Sequence, residues 1–300
     1  MENIFDLPEE NLEEEVGFTD TKNEIKKGCL YVVGTPIGNL SDFSPRAVHT
    51  LGNVDFIAAE DTRVTMKLLN HFGLRKPLIS YFEHNKLQKG DVICDRIQSG
   101  ESCALVSDAG MPAISDPGEM LVAQCAERGI PVYVVPGPTA MASALAVSGL
   151  ATGRFTFEGF LSMNKKSRRD HLDEVKNEKR TMVFYEAPHK LLNTLKDMLN
   201  TFGNRRIALV RELTKIHEEV KRTTLSEAVD FYSENPPKGE FVLVIEGAKE
   251  EAKAELSLDD ALSIAREKIA LGMSASMAAK EAAAETGFRK NEIYKIVSAE

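Results

Sequence analysis

From Cys29 to about Ala151 the apolar residues come in short, nearly solid blocks separated by longer amphipathic stretches. The blocks are Leu30–Val33, Phe56–Ala59, Leu78–Ser80, Ala104–Val106 (with Cys103 before it) and Val132–Val135. Blocks without polar alternation are the mark of strands buried on both faces, as in a parallel sheet. Between them, helical spacing predicts helices over Pro45–Leu51, Thr62–Phe72, Lys86–Gln98, Pro117–Arg128 and Pro138–Ser148. Gly73, Gly129 and Gly149 follow three of these, where a helix commonly stops. Alternating strand and helix predicts an α/β domain over residues 28–151.

A second series follows: Phe155–Gly159, Thr181–Tyr185, His189–Phe202, Ile207–Val210, Glu219–Thr223, Leu225–Tyr232 and Phe241–Ile245. The run Glu219-Val220-Lys221-Arg222-Thr223 alternates, which predicts an antiparallel strand with one wet face and therefore a mixed sheet in a second α/β domain, residues 152–248. The boundary between two such domains is a natural cleft. Lys249–Glu255 is a charged linker or helix start. Leu258–Leu271, Ser276–Glu285 and Lys290–Val297 then predict a helical tail over 256–300. Two forms fit that tail: a helix-turn-helix-like module offering Arg289, Lys290 and Lys295 to phosphates, or a small cap packed on the main body.

Charge changes the picture only once it is located. The net charge of −9 is concentrated at the start, where residues 1–27 hold nine acids and three bases and contribute −6. That stretch lacks periodicity and reads as an acidic, disordered arm. The remaining −3 does not argue against a polyanionic partner. The acidic start is unlike a secretory signal, and Thr139–Ala151 is too short to span a bilayer, so a cytoplasmic location and no membrane partner are expected. Cys29, Cys94, Cys103 and Cys125 form no C-x-x-C pair and sit mostly in apolar surroundings, which predicts buried thiols; no metal site is expected.

Chemistry is expected at the ends of the first five strands. Ser107–Gly118 follows the fourth, with Asp108 and an exposed backbone at the carboxyl edge where open α/β sheets bind ligands, and with Asp116 able to cap the next helix. Gly34–Leu40 follows the first strand, but its G-x-x-x-G spacing and Pro36 do not suit a pyrophosphate loop. Glu60, Asp61 and Arg63 follow the second, Glu83 and His84 the third, and Pro136–Ala140 the fifth. Asp61, Glu83 and His84 are candidate bases, and Arg63 a phosphate or carboxylate grip. Either Glu60 or Asp61 could equally cap the following helix. Asn164–Arg169, expected as a loop, places Lys165, Lys166, Arg168 and Arg169 within six residues and is a local anion site, a candidate contact for a nucleic acid.

Taken in order, Leu30–Leu40, Ala59-Glu60-Asp61-Thr62-Arg63, Glu83-His84-Asn85, Val106–Pro112 and Pro136–Ala140 resemble the tetrapyrrole-methylase superfamily, in particular its branch that methylates a cytidine 2′-oxygen in 16S ribosomal RNA. The match runs from about Gly28 to the C-terminus. It implies a two-domain fold that holds S-adenosylmethionine in the interdomain cleft, usually as a homodimer, with 16S rRNA or the small ribosomal subunit as partner. It also implies cofactor contacts at Pro36, Ser107, Asp108, Met111, Thr139 and Ala140, with Tyr185–His189 and Glu212–Lys215 as walls from the second domain. Asp61, Arg63 and Glu83 remain candidates for the acceptor side. Two other readings stay open: a tetrapyrrole methyltransferase, and a noncatalytic ribosome-associated RNA-binding protein.

Overall fold

The computed structural model describes residues 24–249 and 257–299; the acidic arm lies outside these up to residue 23, and the charged linker from residue 250 on. The first lobe carries β1 (Leu30–Val33), α1 (Pro45–Asn53), β2 (Phe56–Ala59), α2 (Thr62–His71), β3 (Leu78–Ser80), α3 (Lys86–Gln98), β4 (Cys103–Val106), α4 (Gly118–Glu127), β5 (Val132–Val135) and α5 (Ala140–Val147). Its five strands pair in parallel in the order β3-β2-β4-β1-β5. Every residue of β1, β2 and β4 is buried, because helices cover both faces of the sheet. Tyr31, Val33, Ile57 and Ala104 pack towards α1 and α2, whereas Leu30, Val32, Ala58 and Leu105 pack towards α3 and α4. That two-sided burial is why the strands read as solid apolar blocks.

The second lobe carries β6 (Phe155–Phe160), α6 (Lys165–Val175), β7 (Thr181–Glu186), α7 (Pro188–Phe202), β8 (Arg206–Arg211), β9 (Glu219–Thr224), α8 (Leu225–Glu234) and β10 (Phe241–Ile245). The sheet order is β6-β7-β10-β8-β9, with β6 and β7 parallel and the other pairs antiparallel. The mixed sheet expected from the alternation in β9 is thus present. One face packs Leu172, Leu191, Leu195, Met198 and Leu225 from its own helices. The other face is covered by a helix of the first lobe: Ala144 and Leu145 of α5 pack on Val183, Ala208, Val210 and Val244. Arg222 of β9 donates to the carbonyls of Val147 (2.6 Å) and Ser148 (3.2 Å) at the end of α5. Residues through Gly247 consequently form one compact unit.

The loop expected at 164–169 is instead the start of α6. The Asn164 side chain accepts from the amides of Lys166 and Ser167 and caps the helix. Only Leu172 of α6 is buried, so no apolar stripe announces it. The thiols of Cys29, Cys94, Cys103 and Cys125 are free and buried, as expected. No helix among the described residues is long and apolar enough to cross a membrane.

The tail forms its own compact unit from Ala248. It comprises α9 (Leu258–Ala270), α10 (Ala275–Thr286) and α11 (Lys290–Val297) around Ala261, Leu262, Ala265, Ala279, Ala282, Ile293 and Val297. Ser257 and Asp260 close a capping box on α9, and Lys268 reaches Glu281 and Glu285 of α10. Arg289, Lys290 and Lys295 are exposed.

Candidate active site

Parallel strands deliver their loops to one edge, and glycine lets three of these loops touch. Gly34, after β1, and Gly137, after β5, meet backbone to backbone: a Cβ on Gly34 would stand 2.6 Å from the Gly137 Cα and 2.7 Å from the Met111 sulfur. Gly34 therefore serves the close approach of two backbones, while Gly38 leaves room for the Lys215 and Thr214 side chains of the second lobe. Thr35 and Gly110 exchange backbone hydrogen bonds of 2.9 and 3.2 Å, which fastens the β1 loop to the β4 loop. Beyond Gly110, the Asp116 carboxylate accepts from the amides of Ala113 (2.9 Å) and Gly118 (2.7 Å) and closes the loop before α4.

The second lobe supplies the facing wall. Because β10 runs antiparallel to β7 and β8, its first residue Phe241 lies opposite Glu186 and Arg211 at the ends of those strands. Between the lobes is a cavity of about 470 Å³, lined on one side by Glu60, Ser107–Met111, Asp116, Thr139 and Ala140, and on the other by Tyr185–Ala187, Glu212, Lys215 and Glu240. The Tyr185 hydroxyl accepts from the Met141 amide at 3.1 Å, joining the walls at the first turn of α5. Ala113, Ser115, Glu212 and Thr214 all have φ between 50° and 66°. Non-glycine residues in that region store about 1–3 kcal/mol each and gather at binding sites.

The lining is acidic, with Glu60, Asp108, Asp116, Glu186, Glu212 and Glu240 against the single cation Lys215. The two walls hold their acids differently. Burial, joined by the negative charges of Asp108 and Asp116, raises the proton affinity of Glu60. Burial also raises Asp108, opposed by the Asp61 amide that donates to it at 3.0 Å, and Asp116. On the other wall Lys215 donates to Glu212 (2.8 Å) and Glu240 (3.0 Å), and this contact lowers Glu212. Glu186 is buried and accepts from Thr194 Oγ1 (2.6 Å) and the Ala187 amide (2.8 Å).

Comparison with known proteins gives this geometry a lineage. A family model described as Tetrapyrrole (Corrin/Porphyrin) Methylases matches residues 29–229. The chain belongs to that family. It is 48% identical over 270 residues to a Synechocystis protein named ribosomal RNA small subunit methyltransferase I, spanning 90% of this chain and 97% of that one. It is 50% identical over 273 residues to the protein of the same name from Halalkalibacterium halodurans, spanning 90% and 94%. Among solved structures, uroporphyrin-III C-methyltransferase from Thermus thermophilus, complexed with S-adenosyl homocysteine, shares the fold at a TM-score of 0.53 and 17% identity over 73% of this chain and 97% of that one.

In this methylase fold, Ser107, Asp108, Met111, Thr139 and Ala140 line the cavity together with Tyr185, Glu186, Ala187, Glu212, Leu213 and Lys215. Pro36 lines a neighbouring groove that shares Ser107 and Asp108 with the cavity. Asp61, Arg63 and Glu83 are not in the cavity wall. Asp61 caps α2 through the Arg63 amide and holds the Arg63 guanidinium at 3.0 and 3.2 Å, a contact that lowers its carboxyl to about 2. Glu83 pairs with Lys86 at 2.6 Å, and His84 packs edge-on against Phe82. Arg168 is anchored at 2.7 Å to Asp197, and Arg169 lies 4.0 Å from the same carboxylate, whereas Lys165 and Lys166 are exposed. Glu240 and Phe160 were not anticipated. The only local signal for Glu240 is its place just before a solid apolar strand.

Proposed function

We propose that this chain is an S-adenosylmethionine-dependent methyltransferase acting on the ribose 2′-oxygen of a cytidine in 16S ribosomal RNA, in the cytoplasm and as a homodimer. The observation that carries this reading is the acidic cavity between two lobes of a methylase fold, in a chain 48–50% identical over nine-tenths of its length to proteins named as ribosomal RNA methyltransferases. The residues present fit the cofactor. Six carboxylates against one lysine suit a ligand carrying sulfonium and ammonium charges, and Ile37, Ile114, Leu213 and Val242 offer apolar surface for its adenine.

Bound there, S-adenosylmethionine supplies an electrophilic methyl group. A carboxylate held directly against the sulfonium would stabilise the ground state more than the transition state, so Asp108 and Glu212 serve the polar periphery of the ligand. Ser107, Met111, Thr139 and Ala140 shape its seat. The acceptor hydroxyl must shed a proton, and that needs a base in reach. Asp61 is already committed to Arg63 and the α2 amides, a pair we assign to the acceptor side. Glu60, one residue earlier, faces the cavity with raised proton affinity and is the better base. Exposed Lys165 and Lys166 contribute to RNA attraction, with Arg168 and Arg169 fixing their helix to Asp197.

The deciding experiment supplies labelled cofactor with 16S rRNA, small subunits or a uroporphyrinogen, and maps ribose methylation in cells lacking the protein. Transfer to one cytidine 2′-oxygen, lost in those cells, is the expected result. An unchanged methylation map, or transfer only to the tetrapyrrole, would overturn the reading. Binding of the cofactor by calorimetry separates an enzyme from a noncatalytic RNA-binding protein.

A further inference from the structure

A second cavity, of about 370 Å³, opens between the β1 loop and α2. Its walls are Pro36 and Leu40 on one side and Val64 and Leu68 on the other, with Lys67 and His71 at the helix edge. Leu40 and Val64 are about two-fifths exposed, so an apolar surface is left open there. Ser107 and Asp108 belong to this groove and to the main cavity alike, so only the start of the β4 loop separates the two spaces.

Charge along α2 runs in one line. Arg63, Lys67 and His71 stand at i, i+4 and i+8, on one exposed face of the helix. Arg63 is partly neutralised by Asp61. Lys67 has no carboxylate partner among the described residues. An apolar slot with Lys67 and the His71 ring along one rim matches a nucleotide, whose base seeks a dry surface while its phosphates seek ammonium groups and N–H donors. The slot has room for one nucleoside and not for a duplex, so the strand that enters must be unpaired at that point.

We infer that this groove receives the acceptor nucleotide of a single-stranded RNA segment, its base between Leu40 and Val64 and its flanking phosphates on Lys67 and His71. This rests on the RNA-methyltransferase reading above and specifies which face of the site the RNA occupies. The ribose then lies at the Ser107–Asp108 seam, next to the main cavity. In the transfer, the acceptor oxygen gains the methyl carbon and its proton passes to Glu60. The electron pair of the broken carbon–sulfur bond stays on sulfur, leaving a neutral thioether.

The test uses the full chain with three variants: Val64→Trp, which fills the groove; Lys67→Glu with His71→Glu, which makes its rim acidic; and Lys196→Glu, a single charge reversal on exposed α7 surface. Anisotropy with a single-stranded RNA and with the same RNA annealed reads binding, and calorimetry reads cofactor affinity. Both groove variants should weaken single-strand binding and raise the KM for RNA at least about tenfold. The rim variant should also make the slope of log affinity against log salt shallower by about one to two. Cofactor affinity should stay within about twofold, and Lys196→Glu should match wild type. Groove variants that bind and methylate RNA like wild type would overturn this inference and leave the enzyme reading intact. A wild-type chain that methylates no RNA would overturn both.

Discussion

The two walls of the cavity are built from opposite kinds of sheet edge. The first lobe presents carboxyl ends of parallel strands, whose loops must turn back into helices and so bring the half-buried Glu60 and Asp116 and the more exposed Asp108 to the rim. Glu60, Asp108 and Asp116 are held there by backbone amides and crowd one another, and their proton affinities rise. The second lobe presents an antiparallel edge, where neighbouring strand ends carry their own counter-charges. Glu212 and Glu240 share Lys215, and Glu186 is hydrogen-bonded within its lobe. One wall is thus poised to take a proton, and the other to hold its shape. Acids of identical chemistry divide according to whether the fold gives them a cation.

The sharpest way to break this contrast is Glu60→Gln. Removing the base should lower the single-turnover methylation rate about 100-fold while cofactor affinity by calorimetry stays unchanged. In wild type the acid limb of the rate profile should lie above the ordinary carboxylate range, because the proton-free form is needed and burial raises its pKa. Stability should move the other way. A carboxyl with higher proton affinity in the folded state loses stability as pH rises through that range, so Glu60→Gln should melt no lower than wild type at neutral pH. A variant that is slower and less stable would mark Glu60 as merely structural.

Next in size is Gly34→Ala, which forces a Cβ into the Gly137 backbone. Overpacking of this kind costs about 1–3 kcal/mol and should appear as a lower urea midpoint and as weakened cofactor binding, since three loops share that contact. Lys215→Met tests the second wall. It leaves Glu212 and Glu240 unpaired beside each other, and should weaken cofactor binding a few-fold with little change in the rate at saturation. Smallest is Glu83→Gln, outside both cavities, expected within about twofold of wild type in rate and affinity.

The strands were legible because burial on both faces leaves a compositional trace that needs no tertiary knowledge. Four of the five first-lobe strands coincide with their apolar blocks, and Cys103 completes the fourth. Helix α6 left no such trace, having one buried residue among eleven and a cap visible only through Asn164. The site divides similarly. Loops after strands marked the right edge of the sheet, but Glu60 and Asp61 look interchangeable in sequence. Only the register at the end of β2 sends one side chain into the cavity and the other onto the α2 amides. Glu240 depends on the antiparallel direction of β10, which no local pattern specifies.

The contact between Gly34 and Gly137 also decides which way the site can give. With no space between those backbones, and with Thr35 bridged to Gly110, the β1, β4 and β5 loops are fastened into one jaw. Any ligand larger than the resting cavity must be accommodated by displacing the opposite jaw, the 212–217 turn, where two residues already carry backbone strain and Ile216 is 97% exposed. Selectivity for the small ligand is thereby built into a locked surface, whereas the groove proposed for RNA lies on the outer side of that same lobe, beside α2, and does not draw on the turn.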